Sequence, residues 1–223
     1  MADSCVLYYI TDRHQFSAHE HESRKHLLAK IREAACAGVD YIQLREKDLC
    51  TRELQALSRD AVKALDELRI DNPELRTALL INSRTDVAVA VGADGVHLRS
   101  VDISPKEVRA IWTSGYAGIA TSESSPPSPL IGVSCHTPEE VKQAAENAAD
   151  FAVFAPVFEK HGATAAGLDL LGEACPAPIP VLALGGVTLD NAQSCLRAGA
   201  AGIAGIRLFQ ENNIAEVARK LRK

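Results

Sequence analysis

Two short runs carry the side chains best suited to chemistry. In Gln43-Leu44-Arg45-Glu46-Lys47 cations alternate with a carboxylate, so on an extended segment Arg45 and Lys47 project to the same side. Two cations beside Gln43 and Asn82 suit a phosphate or diphosphate ester, which Arg can grip bidentately. Taken alone, the run reads equally as a solvated charged loop. In Gly185-Gly186, with Thr188 following, the backbone is bare enough to turn its N–H groups on an anion; the other reading is a tight turn needing positive φ. Gly205-Ile206-Arg207 near the chain's end adds weight to the phosphate reading.

Single residues extend the pattern. Asp102 is placed to hold Mg²⁺, which usually takes one or two carboxylates plus phosphate oxygens, or to cap the helix begun by Ser104-Pro105. His136 suits acid/base chemistry or a structural hydrogen bond, and His97 reads as structural. His14, His19, His21 and His26 crowd one segment, but without Cys or carboxylates at ligand spacing they read as a solvated loop. Cys5, Cys36, Cys50, Cys135, Cys175 and Cys195 form no C-x-x-C pair and read as small hydrophobes.

These residues follow short apolar runs: Val6–Thr11, Tyr41–Leu44, Ala78–Asn82, Gly95–Leu98, Leu130–Ser134, Phe151–Phe154, Val181–Leu184 and Gly202–Ile206. Each is too short for a helix and apolar on both faces, as parallel strands buried from both sides are. Amphipathic patterns lie between them, with helix starts expected at Ser23, Thr51, Ser104-Pro105, Thr137-Pro138 and Thr188, and a short helix near Asp169–Ala174. Ala37-Gly38-Val39-Asp40, Val91-Gly92-Ala93-Asp94 and Ala198-Gly199-Ala200-Ala201 share one phrase, and Ala148-Ala149-Asp150 repeats it without the Gly. Gly there ends a helix in the left-handed conformation before a buried strand. Eight such units in 223 residues predict one single-domain (β/α)8 TIM barrel over residues 1–223, with its site at the carboxyl ends of the strands. An open doubly wound sheet would more often carry a Gly-rich fingerprint after strand one, where this chain has Thr11-Asp12-Arg13. The stretch Thr121–Pro129 reads as a loop between helix four and strand five.

Composition narrows the function classes. The net charge is −5, with 47% hydrophobic and 24% charged residues, which excludes extended disorder and argues against a nucleic-acid partner. No apolar run approaches a membrane span, and no basic segment precedes the first apolar stretch, so neither a membrane partner nor a secretory signal is expected. The expected compartment is the cytoplasm, and nothing in the sequence sets the oligomeric state.

Several motifs in order resemble the thiamine phosphate synthase family: Tyr9-Ile10-Thr11-Asp12, the Gln43–Lys47 run, Ile81-Asn82 and Gly92-Ala93-Asp94-Gly95-Val96-His97-Leu98. So do Ile131-Gly132-Val133-Ser134 with His136-Thr137, Pro156-Val157-Phe158 and Gly185-Gly186-Val187. The likeness implies a (β/α)8 barrel that joins hydroxymethylpyrimidine diphosphate to thiazole phosphate, two small phosphorylated partners, with Mg²⁺ as cofactor. It implies diphosphate and pyrimidine contacts for Gln43, Arg45, Lys47 and Asn82, and a Mg²⁺ ligand in Asp102. Ser134 would lie near the reacting groups, and Gly185, Gly186 and Gly205–Arg207, including Ile206, would cradle the thiazole phosphate.

The chain departs from that pattern at three places. It has Asn82-Ser83 where the family carries Asn-Asp, Glu159-Lys160-His161-Gly162-Ala163-Thr164 in place of Thr-x-Thr-Lys, and Arg207 in place of Ser. The related TenI-type thiazole tautomerases resemble it at Asn82-Ser83-Arg84 and Ser104-Pro105-Lys106, and need only proton transfer and a phosphate cradle. Their proton-transferring His is replaced by Pro156, so His136 or His161 would have to serve. Synthase chemistry is the first expectation, the tautomerase the second, and a non-catalytic binder of a phosphorylated thiazole or thiamine ligand the third.

Overall fold

The computed structural model describes residues 5–17, 19–117, 128–159 and 165–222. Eight strands alternate with helices: β1 (Val6–Ile10), α1 (Glu20–Cys36), β2 (Tyr41–Leu44), α2 (Thr51–Asp71), β3 (Ala78–Asn82), α3 (Thr85–Val91), β4 (Gly95–Leu98) and α4 (Pro105–Ala117). The second half runs β5 (Leu130–Cys135), α5 (Pro138–Glu146), β6 (Phe151–Phe154), α6 (Gly167–Ala174), β7 (Val181–Ala183), α7 (Ala192–Arg197), β8 (Gly202–Gly205), α8 (Arg207–Gln210) and α9 (Ile214–Leu221). The strands pair in chain order, all parallel, and β8 closes on β1 through Val6–Gly202 to Tyr9–Gly205. This is the (β/α)8 barrel expected from the alternation. Most of the stretch 121–129 lies outside the described residues.

Two helix starts, at Ser23 and Thr188, differ from expectation, and the one at Thr51 holds. α1 begins at Glu20, and the Ser23 hydroxyl donates to the Ser17 carbonyl at 2.8 Å from within the first turn. α2 begins at Thr51 with Cys50 as its cap, because Glu53 reaches back to the Cys50 amide at 3.1 Å. Asn191 holds the chain in an extra turn after β7, accepting from the Thr188 amide and donating to the Gly186 carbonyl, so α7 starts at Ala192 rather than Thr188. The caps at Ser104 and Thr137 form as expected, each accepting from the amide three residues on.

The repeated helix-to-strand phrase has two physical parts. Gly38, Gly92 and Gly199 take φ of 78°, 70° and 105°, and Ala148 takes the same left-handed turn at 61° despite its Cβ. The Asp that follows in three of the four then fastens the barrel floor. Asp40, Asp94 and Asp150 accept the amides of Leu7, Leu79 and Ile131 at 2.7, 2.8 and 2.7 Å. Each also pairs with an arginine from a helix or the chain's end: Arg222, Arg69 and Arg109.

Alternation along each strand sorts the core. Leu7, Tyr9, Ile81, Val96, Leu98, Ile131 and Phe154 face the helices, while Tyr8, Ile10, Leu80, Phe151, Val153, Leu182 and Ala204 fill the barrel. Inside, Tyr41 and Phe151 stack with centroids 5.0 Å apart, and Tyr8 packs edge-on against both. His97 sits in this apolar interior, its pKa lowered to about 3 chiefly by burial and then by the Arg45 charge. The folded chain therefore holds it neutral, whereas the unfolded chain takes up the proton below pH 6.5. Folding stability contributed by this site should be intact above pH 6.5 and fall on acidification toward pH 3, by about tenfold in the folding equilibrium per pH unit. Urea unfolding of wild type and His97→Gln between about pH 7 and 4.5 checks this; parallel curves for the two proteins would contradict it.

Candidate functional site

The carboxyl ends of the strands surround one mouth, and β2 supplies its cations. Period-two alternation carries Gln43 inward and Leu44 outward, and the loop beyond continues it with Arg45 and Lys47 on one side and Glu46 on the other. Glu46 is buried. It accepts from the Thr11 hydroxyl at 2.6 Å, the Arg13 amide at 3.1 Å and the Arg13 guanidinium at 3.1 Å. Thr11 in turn accepts the Arg45 amide at 3.0 Å. Arg13 itself is buried and also pairs with Glu20 and Asp48. Among the described residues neither Arg45 nor Lys47 makes a side-chain hydrogen bond or ion pair. Burial pushes the Arg45 pKa down, and burial with the charges of Arg45 and Arg99 does the same to Lys47.

β3 and β4 bring the polar groups opposite. Asn82 donates to the Ser83 hydroxyl at 3.3 Å, and Ser83 takes a left-handed φ of 59°. A cleft of about 300 Å³ joins Lys47, Asn82, Ser83, Arg84 and Arg99. Asp102 lies just beyond, in a neighbouring cleft of about 170 Å³ that also reaches Arg99, Ser134 and Glu140. Its carboxylate accepts from the Arg99 amide at 2.8 Å and from the guanidinium at 2.7 and 3.1 Å. Burial alone would raise its pKa, but the donors of Arg99 and the Ser83 hydroxyl hold it below the usual carboxylate range. Ser134, on β5, meets His97 Nε2 at 2.8 Å, and the other ring nitrogen meets the Tyr8 hydroxyl at 3.1 Å.

The remaining expected residues fall into three groups. Gly185 and Gly186 have φ of 97° and 64°, and a Cβ on either would come within 2.8 Å of Pro156 or Phe158. The glycines are therefore required by the close approach of the loops after β6 and β7, which bond through Val157 to Leu184 and Phe158 to Gly185. That is the turn reading, and it leaves the anion reading open. Gly205 ends β8 buried, Ile206 caps α8, and Arg207 is its exposed first residue. His136 is exposed, with Nδ1 bonded to the Ala155 carbonyl at 2.7 Å. His161, with Lys160, lies outside the described residues. His14 and His21 pair with Asp48 and Glu22, and among the described residues no three His, Cys, Asp or Glu converge on a point that could hold a metal.

The sequence alone assigns no role to Tyr8, Thr11 or Arg13. Thr11 and Arg13 do carry a signal: polar residues directly after a strand, opposite a lone carboxylate flanked by cations. Lys47, Arg84 and Arg99 line one cleft with Arg45 close by; Arg84 pairs with Asp86 and Arg99 with Asp102, while among the described residues Arg45 and Lys47 have no ion pair.

Comparison with known proteins identifies the family. A family model described as thiamine monophosphate synthase matches residues 7–209. The chain is 37% identical over 209 residues to a candidate thiamine-phosphate synthase (number 2) of Aquifex aeolicus, covering 92% of this chain and 97% of that one. It is 34% identical over 222 residues to the thiamine-phosphate synthase of Methanoculleus marisnigri, covering 97% and 93%. A solved thiamine phosphate pyrophosphorylase from Pyrococcus furiosus superposes with a TM-score of 0.75 at 28% identity, covering 99% of this chain and 95% of that one. With a matching family model over almost the whole barrel and relatives above 30% identity along its length, this chain belongs to the thiamine monophosphate synthase family.

Proposed function

We propose that this protein is a transferase that makes thiamine phosphate, joining hydroxymethylpyrimidine diphosphate to thiazole phosphate and releasing diphosphate. The family and its relatives named thiamine-phosphate synthase support thiamine phosphate synthesis. The observation that carries the finer reading is the pair Arg45 and Lys47, aimed into the mouth beside Arg99 without a carboxylate of their own. Charge held so close without a counter-ion is costly until an anion arrives. A diphosphate brings the required charge.

In this reaction the carbon–oxygen bond to the diphosphate breaks with its electron pair going to the leaving oxygen. The thiazole nitrogen then supplies the pair that forms the new carbon–nitrogen bond. Arg45 and Lys47 stabilise the growing charge on the leaving group, which is where fixed cations lower a barrier most. Gln43 and Asn82 face the pyrimidine, and the backbone at Gly185, Gly186 and Gly205–Arg207 holds the thiazole phosphate. Mg²⁺, when bound, adds positive charge on the diphosphate oxygens. Asp102 with the Ser83 hydroxyl would hold it, and one carboxylate completed by substrate oxygens fits the way Mg²⁺ is usually bound. The tautomerase reading has less support, because the relatives above 30% identity are named as thiamine-phosphate synthases.

An end-point assay with both phosphorylated substrates should yield thiamine phosphate only when Mg²⁺ is present; absence of product with the thiazole phosphate still bound would overturn the synthase in favour of the tautomerase or a non-catalytic binder. Arg45→Ala and Lys47→Ala should each weaken binding of the pyrimidine diphosphate at least about tenfold by calorimetry, and unchanged affinity would remove them from the site. Ser83→Asp should tighten Mg²⁺ in the presence of diphosphate, since it adds a carboxylate where φ is 59°, a conformation Asp tolerates better than Ser. A magnesium titration monitored by heat, identical for the two proteins, would show that β3 serves no metal.

A further inference from the structure

We infer that a buried hydrogen-bond chain running from Tyr8 through His97 fixes Ser134 as a hydrogen-bond donor toward the mouth, so that Tyr8 and His97 are positioning residues for whatever Ser134 touches. The three side chains lie on inward positions of β1, β4 and β5. The links are Tyr8 hydroxyl to His97 Nδ1 at 3.1 Å and His97 Nε2 to Ser134 Oγ at 2.8 Å. Tyr8 and His97 are buried.

Distances alone leave the direction of the protons open; the inventory of donors decides it. Burial keeps the Tyr8 phenol protonated, and the imidazole is neutral, so the ring carries one proton. The Tyr8 hydroxyl has His97 Nδ1 as its recorded partner. If Nδ1 donated to Tyr8, the phenol's own proton would be left without that acceptor in a buried interior, a costly arrangement. With the phenol donating to Nδ1, every proton has a place. Nε2 then carries the ring proton and donates to Ser134 Oγ, and the Ser134 proton is left to point at the ligand. Ser134 thus has its proton free for a ligand bearing an acceptor at that position, such as a ring nitrogen or phosphate oxygen.

The direction of the chain is independent of the ligand; its use in turnover rests on the synthase reading above. Selective ¹⁵N labelling of histidine in the wild-type protein at pH 7 tests the direction, since long-range proton–nitrogen correlation separates the two neutral tautomers. Protonation at Nε2 of His97 is expected. Protonation at Nδ1, a mixture, or an imidazolium would overturn the inference. For its use, His97→Gln keeps an N–H donor near the Nε2 position while His97→Leu keeps only bulk. Under synthase assay kcat/KM should stay within about threefold of wild type for His97→Gln and fall at least about tenfold for His97→Leu. Equal losses would reduce His97 to a packing role. A wild-type protein that shows the Nε2 tautomer yet makes no thiamine phosphate would sink the synthase reading and leave the hydrogen-bond direction standing.

Discussion

The mouth of this barrel depends on one buried carboxylate. Glu46 stands between Arg45 and Lys47, and its three hydrogen bonds to Thr11 and Arg13 hold it on the far side of the chain from them. Because alternate residues face opposite ways, anchoring Glu46 aims both cations. The Glu46 and Arg13 side chains are 1% and 3% exposed, so their pairing contributes less net stability than its geometry suggests, since both ions are desolvated. Its value is orientation. Removing Arg13 would leave the buried Glu46 charge without its ion-pair partner, and removing Glu46 would cost the loops after β1 and β2 their common anchor. Asp48 and Glu20 complete the neutralisation of Arg13, and Arg13 in turn holds the Asp48 carboxyl well below its usual range.

The two ends of the barrel treat charge in opposite ways. At the amino-terminal end Asp40, Asp94 and Asp150 each bind a strand amide and an arginine, so the cations there are satisfied by the protein itself. These contacts tie the start of one strand to the turn before the next, and they recur because the helix-to-strand turn recurs. At the carboxyl end Arg45 and Lys47 are left without such partners, and Lys47 feels both Arg45 and Arg99. The protein is overwhelmingly able to pair its arginines where pairing serves the fold. Leaving cations unpaired at the other end is a feature of a binding site rather than of a scaffold.

Much of this was legible in the sequence, and the boundary has physical causes. Parallel strands buried on both faces are short and uniformly apolar, so all eight strands lie within one residue of where the apolar runs place them. The helix starts at Ser23 and Thr188 were not, because several polar residues compete to cap and only their three-dimensional reach decides, as Asn191 shows by holding Thr188 outside α7. Arg45 and Lys47 were readable from period two alone. Glu46 is not legible as their anchor, since its partners Thr11 and Arg13 come from the loop after β1, more than thirty residues earlier, and are neighbours only because β1 pairs with β2. Gly185-Gly186 stayed ambiguous for a similar reason: the same bare backbone suits an anion or a close loop, and the approach of Pro156 and Phe158 is invisible in one dimension.

His97 shows why an apolar interior suits the floor of a cationic site. A protonated imidazole there would add a charge to the field of Arg45 and would have to be desolvated inside the aromatic cluster of Tyr8, Tyr41 and Phe151. Both effects act in the same direction, so the ring stays neutral far below neutrality. A neutral histidine offers one donor and one acceptor at opposite edges, which a lysine or arginine could not do and an apolar residue would not. It can therefore pass a fixed hydrogen-bond direction from Tyr8 up to Ser134 without changing the charge of the mouth. The positive charge at the mouth is then carried by Arg45, Lys47 and Arg99, while the interior supplies direction alone.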